Sequence, residues 1–428
     1  MNNKFKPISI SLSPNVEKDD VALALNLIVR PWFWKQGKGI KELEREIKEY
    51  LGVKYAVSFN SGRSALFAIL KSLDEKNGNS VLLQAFTCNA AINPILWADL
   101  KPIYVDCNKD DFNVDVEDIK KKIAENPKTK ILMVQHTFGM PANMDEVMAI
   151  VRQNNLFLIE DCAHSLGAEY NNKKVGTFGN AAFFSFSRDK IISSVYGGIA
   201  VTNDDQLGKK LEALQKTFGP ASNFWIFQQI LHPILLHYII LPVYNFLDLG
   251  KIFLVASQVL NILSKAVSWK EKRGERPDYF PKALPNALAL MALNQFGKLE
   301  KFEKHRKDIS EFYYKELAAF AEASAGQAKF VLPKQFEERK NAFLRFTVKH
   351  KDAHDIIYEA WHKQNILLGD WYTTVIAPFD TKLEEMHYKK GMCINAERLS
   401  KITLNLPTHI NISRENTERI VNFLKKWK

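Results

Sequence analysis

Between Ile40 and Thr202 the chain alternates two periodicities, and that alternation limits what it can fold into. IKELEREIKEYLG, Ile40 to Gly52, carries apolar residues at helical spacing and stops on glycine, which reads as a helix and its C-cap. VKYAVSF then reads as a strand, NSG as a turn and RSALFAILKSL as a helix. VLLQAFT and PIYVDC repeat the strand pattern on either side of CNAAINPILWADL, a helix expected to be interrupted at Pro94. KTKILMVQHTFG and LFLIEDCAHSLGA are apolar runs that end in polar residues, with the helix MDEVMAIVRQ between them. Strands taking turns with helices predict an α/β fold, its large domain built on a mostly parallel, doubly wound sheet. Such sheets bind ligands beyond the carboxyl ends of their strands. Asn60-Ser61-Gly62, His136, Asp161 and Lys190 all fall at those ends.

Beyond Thr202 the character changes. From Thr217 to Leu247 there is no Asp, Glu, Lys or Arg. A run of about 20 apolar residues is enough to cross a bilayer, but Pro233, Pro242, two glutamines and two histidines interrupt this one. KIFLVASQVLNILSKAVSW follows with Lys251 and Lys265, and then WKEKR. The expectation for 221–270 is a hairpin lying in a membrane interface with basic residues at the headgroups, set against a full span or a buried protein contact. A second break at GERPDYFPKALP leads into a long helix from Asn286 and a final α+β stretch with AFLRFTVKH and KITLNLPTH. The expected domains are 1–220, a large α/β cofactor domain; 221–280, an apolar helical insertion; and 281–428, a connecting helix and a smaller C-terminal α+β domain.

The bulk numbers are those of an ordinary globular protein of two or three domains: 428 residues, 46% hydrophobic, 25% charged. The net charge of +11 is dispersed, with no run of five like charges, so nucleic acid is not an expected partner. Cys88, Cys107, Cys162 and Cys393 lie far apart with no CxxC spacing. Neither a disulfide framework nor a metal site is expected, and a reducing cytosol fits. MNNKFKPISISLSP lacks the apolar core of a signal peptide. The expected location is the cytoplasm, at the cytoplasmic face of the membrane if the apolar stretch is interfacial.

FFSFSRDK, Phe183 to Lys190, begins as a buried strand and ends on a lysine that is either a solvated charge or a reactive amine. Upstream, the strand–SG–helix turn at Gly62 offers unpaired backbone N–H groups and a helix dipole to a phosphate, with Arg63 and Ser64 beside it. Asp161, at the end of LFLIE, would cap a helix, bind a metal or hold a cationic ring nitrogen. Together these suit pyridoxal phosphate: an amine for its aldehyde, a cradle for its phosphate and a carboxylate that keeps its pyridine nitrogen charged. His164, read as one helical turn beyond Asp161, would approach the ring or its hydroxyl.

These stretches resemble the DegT/DnrJ/EryC1/StrS family of sugar aminotransferases, which have the fold-type I architecture of pyridoxal phosphate enzymes. The resemblance rests on FNSGRSAL, HTFGMPANMDEV, IEDCAHSLGAEYNNKKVGTFGNAAFFSFSRDK, YGGIAVTND and AERLSKITLNLPTH. It covers the chain from about Gly37 onward, except roughly 220–280. It implies Lys190 as the Schiff-base lysine, Asp161 as the pyridinium partner and Ser185 as a phosphate contact beside Gly62, Arg63 and Ser64. His164 falls near the cofactor's hydroxyl. An amino acid, glutamate as is usual in the family, would donate the amine to a keto-sugar carried on a nucleotide, in amino-sugar or surface-polysaccharide synthesis. A homodimer is implied as well. Arg63 stands where the family usually has Thr, Tyr196 where an acidic residue is common, and Cys88 where an aromatic often stacks, which leaves stacking to His164 or Phe86. The family's cross-dimer Asn-x-Arg segment is not recognisable in YFPKALPNALA. A non-catalytic regulatory protein on the same fold, or a dehydratase or epimerase, are the other readings; the retained Lys190 favours transamination.

Overall fold

The computed structural model describes residues 5–73, 79–323 and 330–427. After α1 (Lys18–Ile28) and α2 (Gly39–Leu51), the latter stopped by Gly52 at φ 68°, strands and helices alternate as their periodicities predict. The order is β1 (Tyr55–Phe59), α3 (Gly62–Lys71), β2 (Ser80–Gln84), α4 (Asn89–Trp97), β3 (Lys101–Val105) and α5 (Val116–Glu125). It continues with β4 (Ile131–Gln135), α6 (Met144–Asn154), β5 (Phe157–Asp161), β6 (Ala181–Ser185) and β7 (Gly198–Thr202).

The seven strands form one sheet in the order β1-β7-β6-β5-β4-β2-β3. Strand β7 runs antiparallel to both neighbours, and every other pairing is parallel. Both faces of the sheet are buried. On β4, Ile131 and Met133 join the cluster of Leu66, Ala68 and Ile69 of α3, while Leu132 and Val134 join Val147, Ile150 and Val151 of α6. Two covered faces are why these strands read as continuous apolar runs. Helix α4 runs unbroken through Pro94, contrary to expectation; the burial of Ala91, Ile92 and Ile95 holds it.

The charge-free stretch folds as short pieces. After α7 (Asp205–Phe218), α8 (Asn223–Leu235) carries Pro233 inside it and passes into a π-helical turn at Leu236–Ile240. The chain then turns back into α9 (Leu249–Val259). Among the described residues no helix is long and apolar enough to cross a membrane. The long helix expected from Asn286 is two, α10 (Asn286–Phe296) and α11 (Leu299–Ala323), parted at Gly297.

The C-terminal part pairs β8 (Phe346–Lys349) antiparallel with β9 (Thr403–Leu406) and packs them with α12 (Ala353–Gln364), α13 (Ile394–Ile402) and α14 (Arg414–Leu424). Its core includes Ile8 from the other end of the chain, because Ile8–Ser9 pair in parallel with Ile366–Leu367.

Candidate active site

Strand register brings the predicted residues to one edge. Gln135 pairs with Asp161 and Asp161 with Phe183; two residues further on, Ser185 pairs with Gly198 and Gly198 with Phe59. The carboxyl ends of β1, β4, β5 and β6 therefore open together. Gly62, Arg63, Asp161, His164, Ser185 and Lys190 line a single cavity there. Ser64 does not: it is fully buried, and its hydroxyl donates to Asn60 Oδ1 at 2.7 Å.

Lys190 sits on the loop that leaves β6, its backbone N–H bonded to the Ser187 carbonyl at 3.1 Å. Its Nζ stands 4.5 Å from the centroid of the Trp371 ring. Burial pushes its pKa below that of an ordinary lysine, against the opposing pull of Asp189, Cys88 and Asp161. Asp161 is buried, with Oδ1 accepting from the Ala163 N–H at 3.0 Å. Burial raises its pKa although Lys190 and His136 pull it down, and among the described residues no cation lies within ion-pair distance. Such a carboxylate is short of a positive charge, and a protonated ring nitrogen is a fitting partner. No helix follows Asp161; residues 162–167 form turns, so a helix N-cap role is excluded.

His164 lies within those turns, not on a helix. Its Nδ1 accepts from the Phe138 N–H at 3.3 Å, and its ring is parallel to Trp371 at 5.1 Å. Burial first, then Lys190 and Arg345, hold its pKa well below the usual range, so it presents a neutral ring. Phe86 is unavailable for stacking: fully buried, it packs on Phe112, Phe138 and Tyr372.

At the other end of the cavity Ser61 caps α3 by accepting from the Ser64 N–H, and the first turn of α3 faces Ser185. A Cβ on Gly62 would come within 3.0 Å of Ser185 Cβ, and one on Gly198 within 2.3 Å of Gly62 N. Only glycines let helix and strands approach this closely. The Arg63 guanidinium is buried in an ion pair with Glu271 and donates to the Ala266 carbonyl at 3.1 Å. What Arg63 keeps for an anion is its backbone N–H. Amine, unpaired carboxylate, neutral ring and helix N-terminus thus fit the cofactor expected from the sequence.

His136, Glu160 and Cys162 cluster close enough to hold a metal, but the Glu160 oxygens and His136 Nδ1 are already engaged. Glu160 accepts from the N–H groups of Gly176, Phe178 and Gly179, and His136 Nδ1 accepts from that of Ala142. The carboxylate secures the 176–179 turn.

A family model described as the DegT/DnrJ/EryC1/StrS aminotransferase family matches residues 15–226 and 267–425. The chain belongs to this family. Like the family's other enzymes, it is an aminotransferase that depends on pyridoxal phosphate. The gap between the two matched segments, 227–266, falls in the apolar stretch. The spore coat polysaccharide biosynthesis protein SpsC of Bacillus subtilis is 24% identical, over 99% of this chain and 97% of its own. The GDP-perosamine synthase of Caulobacter vibrioides is 32% identical, but the match spans only 50% of this chain and 57% of that protein. Among solved structures, a family aminotransferase from Brucella abortus superposes with a TM-score of 0.72 at 20% identity, covering 96% and 95% of the two chains. Helicobacter pylori PseC, an aminotransferase of pseudoaminic acid biosynthesis, gives 0.71 at 21% identity, covering 98% and 99%. At these identities the structures show the fold.

Sequence patterns missed several residues at this aminotransferase's candidate site. Trp371 and Tyr372 reach the cavity from the C-terminal part. Arg345 stacks on Trp371 at 3.5 Å and pairs with Asp189 at 3.2 Å. Asn15 donates to the carbonyls of Lys190 and Ile191. All come from segments far away in sequence, where no local motif marks them.

Proposed function

We propose that the enzyme moves an amino group from an amino acid, glutamate in the first instance, to the ketone of a nucleotide-linked sugar, for amino-sugar or surface-polysaccharide synthesis. One observation carries the reading: Lys190 and a buried Asp161, which has no ion-pair partner among the described residues, face one cavity that ends on a helix N-terminus. The names of SpsC, the GDP-perosamine synthase and PseC support the sugar class.

Pyridoxal phosphate, when bound, supplies an electron sink for the carbon that carries the amine. Lys190 would hold its aldehyde carbon and, with its charge disfavoured by burial, take and return the proton at the substrate carbon. Asp161 would keep the ring nitrogen protonated. Neutral His164 would lie against the ring without adding charge. Gly62, the Arg63 N–H and Ser185 would bind the phosphate. In purified protein, an amino donor should bleach the visible cofactor band, and Lys190→Ala should abolish the change. An unchanged band in the wild type would reject the reading. A homodimer is the accompanying expectation, and light scattering checks it.

The apolar stretch supports a seat on the cytoplasmic face of a membrane. Helix α9 is inverted: Gly250 and Ser257 pack inward, while Ile252, Phe253, Val255, Val259 and Leu260 are exposed, the last two by 72% and 69%. In sequence, Lys251 lies within this segment and Lys265 and Lys270 follow it. A continuous bare apolar face marks an interaction site, and the lysines near it in sequence suit anionic lipid. Serine at Ile252, Phe253, Val259 and Leu260 should release the protein from anionic vesicles in sedimentation. Retention would refute the seat.

A further inference from the structure

A second cavity, of about 200 Å³, adjoins the first; Arg63 and Ser187 wall both. Its other walls come from three distant pieces of chain: Ser13 near the N-terminus, Arg188 and Asp189 of the loop before Lys190, and His232 and Gln258 of the apolar stretch.

The charges around it do not balance. Arg63 is offset by Glu271, and Asp189 by Arg345 at 3.2 Å. His232, bonded to Ser13 Oγ at 3.3 Å, is held neutral by burial and by Arg188. That leaves Arg188, which among the described residues has no carboxylate within ion-pair distance. Its Nη2 donates to the Ser264 carbonyl and hydroxyl at 2.7 and 2.6 Å, while its Nε is buried without a partner. A half-buried guanidinium with no ion-pair partner among the described residues, its Nε shut off from solvent and unbonded, is costly unless an anion completes it. Arginine's planar fork suits phosphate oxygens. The volume is below the roughly 300–1,000 Å³ that encloses a whole drug-sized ligand, which leaves room for a phosphate or diphosphate group. Gly62 and Ser185, the groups proposed for the cofactor's own phosphate, line the other cavity and not this one.

We propose that this chamber is the subsite for the diphosphate of the sugar substrate, with Arg188 as its binding residue and Ser13 and Ser187 as further donors. The assignment rests on the nucleotide-linked sugar reading above. It also explains why the apolar stretch is tied to the loop before Lys190: the stretch builds one wall of the subsite.

The test is calorimetric titration of the holoenzyme with pyrophosphate and with UDP. Arg188→Gln should weaken both at least tenfold, and Arg188→Lys should recover part of the loss. Ser264→Ala, which removes one structural tie but no charge, should stay within twofold. The visible cofactor band should persist in all three variants. Wild-type protein that binds no pyrophosphate, or an Arg188→Gln variant that binds it equally well, overturns the proposal. So does a Ser264→Ala variant that matches Arg188→Gln, because the arginine is then only structural. Loss of the cofactor band in Arg188→Gln with pyrophosphate binding intact would assign the guanidinium to the cofactor's phosphate instead. If Arg188 is needed for anionic vesicles but not for pyrophosphate, the phosphate is a lipid's and the proposal falls. A wild type that lacks the cofactor band yet binds pyrophosphate would sink the aminotransferase reading while confirming the diphosphate site.

Discussion

Asn15 holds the loop that carries Lys190 from a distance of 175 residues. Its Nδ2 donates to the Lys190 and Ile191 carbonyls at 2.5 and 2.9 Å, and its Oδ1 accepts from Arg306 at 2.9 Å. Asn15→Ala leaves three buried groups short of partners, so a stability loss of about 1–3 kcal/mol is expected. Turnover should fall with the amino donor's KM little changed, because the loop is mispositioned rather than removed; steady-state kinetics and urea melts check both. Glu271 is the other single-residue dependency. Buried at 0% exposure, it also accepts from the Ser268 N–H at 2.8 Å. Glu271→Gln strands the Arg63 guanidinium, and breaking a buried pair from one side costs about 3–5 kcal/mol. Urea midpoints should show that loss, and adding Arg63→Met should restore much of it.

Among the elements, α9 depends on one glycine. A Cβ at Gly250 would stand 2.3 Å from the Ile240 carbonyl oxygen and 2.4 Å from Tyr244 Cα. Gly250→Val should therefore lift α9 from the turn beneath it. Limited proteolysis should then cut within 241–262, while the main thermal transition moves by only a few degrees. The composition of this stretch announced that it was unusual. Its geometry was not legible, because an apolar run without charges is equally compatible with a span, a core helix and an interfacial one. The same limit appears at 286–323, where helical spacing continues across Gly297 and the break depends on packing.

For the whole molecule, buried neutral histidines set the acid limit. His164, His232 and His409 all have pKa values lowered mainly by burial, His409 to about 3. A histidine whose folded pKa lies below its unfolded value near 6.5 contributes stability above that value. The contribution is lost as pH falls from about 6.5 toward 3. At pH 5 the loss amounts to roughly 2 kcal/mol for His409. Urea midpoints should drop between pH 7.5 and pH 5. His409→Gln, able to keep the bond to the Ser9 carbonyl that His409 Nε2 makes at 2.8 Å, should make the drop shallower.

The linear pattern of residues determined the alternating sheet and the strand ends beside which Lys190, Asp161, Gly62 and Ser185 fall, because periodicity and turn chemistry act over a few residues. Tertiary structure alone decided that Arg63 answers to Glu271 and that Trp371, Arg345 and Asn15 surround the lysine. Those partners lie tens to hundreds of residues apart, and burial in a shared interior is what converts such separation into contact.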